Sequence, residues 1–192
     1  MADQRTEKQR MLAGELYRVD AEITADQLRA ETLLIDYNRT TAAEGGKRAA
    51  ILAELLGGIG EGSAIRPPFH CDYGTNIRLG RGCFLNFGCV FLDVALIELG
   101  DGCMLGPSVQ ILTADHPRDP ALRRQGFESG KPISVGANVW IGGGVILLPG
   151  VRVGDDAIIG AGSVVTREVP PGATVIGNPA RLAKNGSYRT VE

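Results

Sequence analysis

The chain has 192 residues, with 20 Lys and Arg against 22 Asp and Glu, for a net charge of −2. That length suffices for one domain with a sizeable core, and the charge balance leaves no basic footprint for nucleic acid. No apolar run reaches membrane-spanning length, and the polar start MADQRTEKQR is unlike a secretory signal, so a soluble, cytoplasmic protein with no membrane partner is expected.

The first sixty or so residues read as helices. Met11, Leu12 and Leu16 recur at helical spacing, as do Leu28, Leu33, Leu34 and Tyr37. Thr24 followed by Gln27 reads as a capping box opening the second helix. Gly45-Gly46 interrupts the pattern, a third short helix runs from Lys47 to Leu56, and Gly57-Gly58 ends the region. Residues 1–58 form a small helical cap, placed either to close an open end of the larger C-terminal region or to build part of a substrate pocket.

From Leu79 the pattern changes. LGRGCF and LNFGCV are hexads in phase; after a two-residue slip between Asp93 and Ile97, LGDGCM, LGPSVQ and ILTADH continue. From Val135 to Pro170 the hexads VGANVW, IGGGVI, LLPGVR, VGDDAI, IGAGSV and VTREVP run without interruption. Such self-similarity marks a stacked solenoid, in which no repeat buries its own face. The fold class is therefore an all-β solenoid, a parallel β-helix of hexapeptide repeats over residues 59–192. Three hexads make one coil, with the first and fifth positions pointing inward. Cys83, Cys89 and Cys103 occupy fifth positions and read as small buried residues; Cys71 is left unassigned. Thiols of this kind fit a reducing compartment.

The repeat breaks once at length. After Asp115-His116, the segment PRDPALRRQGFESGKP (residues 117–132) matches no hexad, an excursion of about fifteen residues from a rigid scaffold, where function concentrates. One of two histidines stands at its root. A neutral imidazole there is suited to accept a proton from a substrate hydroxyl. The tail after Pro170-Pro171 carries Arg181, Lys184 and Arg189 and is expected to return along the prism.

At these residues the chain resembles the hexapeptide-repeat sugar O-acetyltransferases, the group of maltose, galactoside and nodulation-type enzymes. The matching pieces are Met11 to Tyr17 (MLAGELY), Asp36-Tyr37-Asn38, Leu85-Asn86-Phe87, Asp115-His116-Pro117, Pro132-Ile133, VGANVWIG from Val135, IGAGSVVT from Ile159, and Gly177 to Arg181 (GNPAR). The resemblance implies a left-handed β-helix, a homotrimer with active sites between subunits, acetyl-CoA as co-substrate and a sugar as acceptor. It assigns His116 as the general base and Asn86 beside the attacking hydroxyl. Asp72, Phe84, Asp93 and Glu128 fall on the acceptor side. Trp140, Gly143, Ala161, Thr166, Arg167, Arg181 and Lys184 fall along the coenzyme, the two last at its phosphates. Relatives often carry Asp soon after the N-terminal aromatic; here Tyr17 is followed by Arg18, with Asp20 as the nearby substitute.

The implied reaction is direct acyl transfer in a ternary complex. Backbone N–H groups stabilise the oxyanion, and no cysteine serves as nucleophile. A carbonic anhydrase of hexapeptide fold needs several histidines around a metal; with only His70 and His116 present, no metal is expected. A purely structural solenoid needs neither the loop nor the basic tail. An antibiotic or polysaccharide-precursor hydroxyl is the alternative acceptor.

Overall fold

A computed structural model describes residues 4–183. Helix α1 (Glu7–Leu12) opens with a reciprocal capping box between Thr6 and Gln9. Helix α2 spans Ala21–Asn38 and α3 spans Gly45–Leu55. The capping residue of α2 is Asp20, whose Oδ1 accepts the Ile23 N–H at 2.9 Å. Thr24 lies inside the helix and its hydroxyl donates to the Asp20 carbonyl, so the sequence-predicted start is four residues late. Both threonine and aspartate fit an N-cap; the extended backbone at Asp20 decides between them. Leu16 lies beyond α1, and Leu12, Leu16 and Leu28 are exposed, leaving Met11, Ile23, Ala30, Leu34 and Tyr37 as the buried face.

Beyond the cap, three parallel sheets wrap one apolar interior. Face one stacks Gly58–Ile59, Ile77–Leu79, Ile97–Leu99, Ile133–Val135 and Arg152–Val153. Face two stacks Ala64–Ile65, Phe84–Leu85, Met104–Leu105, Trp140–Ile141, Ile158–Ile159 and Thr174–Ile176. Face three stacks Phe69–Cys71, Cys89–Leu92, Gln110–Leu112, Ile146–Leu147 and Val164–Val165. The described tail does return: Arg181–Leu182 pairs antiparallel with Thr174–Ile176 on face two.

The hexad phase holds throughout the regular coils. First positions such as Leu79, Leu105, Ile141 and Val165 are buried, as are fifth positions such as Cys83, Val109, Val145 and Val169. The three inward thiols donate to carbonyls of the coil, Cys83 to Gly100 at 3.1 Å and Cys103 to Gly136 at 3.0 Å, and Cys89 to Asn86 at 3.1 Å. Ser163, a buried hydroxyl at such a position, donates to the Gly160 carbonyl and accepts from the Gly177 N–H. These inward polar side chains are thus hydrogen-bonded, as a dry interior requires.

The cap shares this core: Leu34, Tyr37, Leu52, Leu55 and Leu56 belong to the same apolar cluster as the coils. It also covers the first rung. The Asn38 amide donates to the Phe69 carbonyl and accepts from the Phe69 N–H, both at 2.9 Å, replacing the missing neighbour of that edge strand. No helix among the described residues is long and apolar enough to cross a membrane.

Candidate functional site

The edge between faces two and three is regular. Asn86, Gly106, Gly142 and Gly160 each come directly after a face-two strand and donate their N–H to the coil beyond, Asn86 to Leu105, Gly106 to Ile141, Gly142 to Ile159 and Gly160 to Val175. A Cβ on Gly106 would stand 2.5 Å from the Gly143 nitrogen, so glycine at this position lets the coil stack on the next. Gly143 and Ala161 each stand one residue further along and line the neighbouring column, so that Asn86 and these two positions mark this edge over three coil spacings, about 14 Å. On the adjoining face two, Phe84, Met104 and Trp140 stand in register and are 40%, 48% and 46% exposed. Face one instead presents Arg78, Glu98, Ser134 and Arg152.

The edge between faces three and one is widened in its first three coils. The turns there are Asp72–Asn76, then Asp93–Leu96, then residues 113–132. This last excursion begins as a two-residue antiparallel ladder, Ala114–Asp115 against Ser129–Gly130, and carries a short helix α4 (Pro120–Arg124) capped by Asp119. His116, exposed, leaves the ladder opposite Glu128. Its N–H donates to Asp115 Oδ1 at 2.9 Å. Arg118 donates to both Asp115 oxygens, at 2.8 and 3.2 Å, and to the His116 carbonyl at 2.8 Å. Burial works to raise the Asp115 carboxyl, but Arg118 and the His116 N–H outweigh it and hold it below the usual range. Asp115 is therefore committed to Arg118, a partner that hexad phase did not indicate.

The cap meets the loop at this edge. Tyr17 and Glu128 exchange backbone hydrogen bonds at 3.0 and 2.9 Å, and the Tyr17 hydroxyl donates to Glu128 Oε2 at 2.9 Å. Arg18 lies 4.6 Å over the Phe127 ring. Tyr17, Tyr73, Met11, Ile23 and Val94 form a second small apolar cluster beneath. Asp20 is occupied as the α2 cap, so the charge beside Tyr17 is Arg18, a cation stacked on the loop.

Three carboxylates gather here. Asp72 is half-buried; burial first, then the Glu128 charge, push its pKa to about 6. It borders an open groove of about 590 Å³ against α2, lined also by Gln27, Asn38 and His70. Asp93, expected on the acceptor side, is fully buried. Its Oδ1 accepts the N–H groups of Asp72 and Tyr73 at 3.0 and 2.9 Å, and its Oδ2 that of Asn76 at 3.3 Å. Burial raises its pKa to about 7 despite these donors. The two-residue slip in the hexads is the visible trace of this buried acid.

The predicted residues therefore fall into two groups. Asp72, Asp93, His116, Glu128, Thr166 and Arg167 lie on the widened edge, and Asn86, Gly143 and Ala161 on the regular one. Phe84 and Trp140 project from face two, and Arg181 lines a hollow of about 210 Å³ with Arg167 at the last coil. Lys184 lies outside the described residues. Among the described residues no group of three or more His, Cys, Asp or Glu is placed to hold a metal ion.

Comparison with known proteins supplies the family. Residues 10–60 match the maltose acetyltransferase hexapeptide capping motif, and residues 132–167 match the bacterial transferase hexapeptide repeats. The chain is 55% identical over 179 residues to nodulation protein L of Rhizobium meliloti (strain 1021), covering 93% of this chain and 98% of that protein. It belongs to the hexapeptide-repeat acetyltransferases. The fold of this acetyltransferase superposes on a maltose O-acetyltransferase from Clostridium difficile 630 with a TM-score of 0.93, at 45% identity over 95% of this chain and 98% of the other. It likewise matches a galactoside acetyltransferase solved in complex with coenzyme A, with a TM-score of 0.90 at 34% identity over 94% and 91% of the two chains.

Proposed function

We propose that this acetyltransferase moves an acetyl group from acetyl-CoA to a sugar hydroxyl, in the cytoplasm, as a homotrimer whose active sites each use two subunits. The observation that carries the reading is the division of the site residues between two edges. His116 and Asn86 stand at opposite ends of face three, a strand length of roughly 10–15 Å apart, too far to act on one hydroxyl. A neighbouring copy brings one edge against the other. The exposed Phe84, Met104 and Trp140 on face two supply an apolar surface for that contact and for a slender pantetheine arm.

In this arrangement His116 takes the hydroxyl proton as the oxygen attacks the thioester carbonyl, and returns it to the departing thiolate. Asn86 of the facing edge holds the attacking hydroxyl, and backbone N–H groups of the Gly143 column stabilise the oxyanion. Asp72 and Glu128 receive other hydroxyls of the acceptor. Thr166, Arg167, Arg181 and Lys184 serve the coenzyme, the cations at its phosphates. No covalent acyl-enzyme is needed: Cys83, Cys89 and Cys103 are buried, and burial pushes the Cys71 thiol up, away from thiolate.

Mixing two inactive variants tests the reading. His116→Ala and Asn86→Ala trimers, denatured and refolded together in equal amounts, are expected to regain about one quarter of wild-type acetyl-CoA turnover, the fraction of sites pairing an intact histidine with an intact asparagine. A mixture as inactive as its components would place both residues in one subunit and sink the shared site.

A further inference from the structure

We infer that Asp93 is a positioning residue for the acceptor, acting through Asp72 and never touching the sugar itself. The inference rests on the reading of the widened edge as the acceptor side. Asp93 has no exposed surface, so it offers no oxygen to a ligand. What its carboxylate holds instead is the whole preceding turn, gathering the N–H groups of Asp72, Tyr73 and Asn76 onto two oxygens. Asn76 closes the ring by donating its side-chain amide to the Asp93 carbonyl at 2.7 Å. The turn is pinned from the far side too, since Gly74 adopts φ +74° with its α-carbon hard against the Leu55 carbonyl, 2.5 Å from where a Cβ would sit.

Three backbone donors converging on one acid are available only because the turn is irregular. In the regular coils such donors go mostly to the next rung, and where a carboxylate takes one, as Asp101 does from Arg81 and Asp155 from Ala137, it takes a single backbone N–H. Here they solvate a buried charge, and the cost of that burial is offset by fixing Asp72 at the lip of the groove. Among the described residues the Asp72 carboxylate itself accepts no hydrogen bond, and the Glu128 charge works against its ionisation. Its position is set by its backbone, and its backbone is set by Asp93.

Substituting Asn for Asp93 keeps the shape and replaces one acceptor oxygen with an NH₂ group that faces an N–H donor. The turn must then shift, and Asp72 with it. The measurement is a double-mutant cycle on the KM of the best acceptor in a panel of mono- and disaccharides, with coenzyme A affinity read by calorimetry. Asp72→Asn and Asp93→Asn are each expected to raise the acceptor KM about tenfold, and the double variant no further than Asp72→Asn alone. Coenzyme A affinity stays at the wild-type value in all three.

If Asp72→Asn raises the acceptor KM and the two effects multiply, Asp93 acts independently and the inference fails, while the acceptor reading stands. If Asp72→Asn leaves the acceptor KM unchanged, the acceptor reading of this edge fails and takes the inference with it. Should Asp93→Asn not fold, Asn76→Ala takes its place, loosening the same turn with the carboxylate intact. It is expected to raise the acceptor KM in the wild-type background and to have no effect beside Asp72→Asn; an unchanged KM in both overturns the inference.

Discussion

Two edges of one prism are built from the same hexad and come out differently. Between faces two and three each coil passes from one inward strand residue to the next in six residues, Leu105 to Ile111 or Ile141 to Leu147, and the N–H that opens each turn goes to the coil beyond. Between faces three and one the corresponding steps lengthen to eight residues from Cys71 to Leu79 and from Phe91 to Leu99, and to 24 from Ile111 to Val135. In its later coils the regular edge stacks so closely that it offers mostly backbone and small residues such as Gly106, Gly142, Gly143 and Ala161. The widened edge releases backbone donors, and with them it holds Asp93, carries Asp72, and projects His116. Charge chemistry gathers where the ladder is interrupted, because there three N–H groups converge on one carboxylate, whereas in the regular coils Asp101 and Asp155 each accept a single backbone N–H.

The contrast is broken most decisively at the widened edge. His116→Ala is expected to lower acetyl transfer about 10²–10⁴-fold with coenzyme A affinity unchanged, the usual range for a lost general base. Initial rates of thiol release measure it, and near wild-type turnover would show that this edge does no chemistry. At the regular edge the expected loss is of stability. Gly106→Ala drives a methyl group into the Gly143 backbone, 2.5 Å from its nitrogen, and is expected to cost about 1–3 kcal/mol. A thermal melt superimposable on wild type would mean that this edge is looser than its spacing suggests.

The buried acids sharpen the comparison through pH. Asp93 and Asp72 have folded-state pKa values of about 7 and about 6, above the ordinary 3.8. The folded chain thus holds their protons more tightly than the unfolded chain, so their contribution to stability is complete below about pH 4 and is lost as pH rises through 6 and 7. Asp93→Asn removes its share of this loss. Denaturation of both proteins from pH 4 to 8 should show the variant gaining on wild type as pH rises, and parallel curves would refute the assignment. The smallest effect belongs to Arg181, exposed at the last coil. Arg181→Ala is expected to raise the acetyl-CoA KM about two- to fivefold with kcat unchanged, and an effect on the acceptor KM alone would reverse its role.

The hexad phase was legible because burial tracks it: a residue at position one or five of a regular coil has nowhere to go but inward, and from Leu79 to Val169 the exception is Asp115, where the loop leaves the coil. Phase also assigns each turn to an edge, so the separation of Asn86 from His116 was present in the sequence for anyone counting coils. Asp93 was harder. An acid at a break in register reads equally as a surface ligand or an internal clamp, and the difference lies in three N–H groups from a turn seventeen to twenty-one residues earlier. The Tyr17–Glu128 bridge spans 111 residues, beyond any local pattern. Thr24 misled because its spacing to Gln27 satisfies a capping rule that Asp20 satisfies in space.

A pile of identical rungs carries no instruction about where to stop, and an open strand at either end invites another molecule to add itself. Asn38 answers at one end by presenting a donor and an acceptor to Phe69, in place of one residue of an absent strand. At the other end Arg181–Leu182 runs antiparallel across Thr174–Ile176, reversing the polarity that a further rung would have to match. At these two strands a further rung would meet groups already paired.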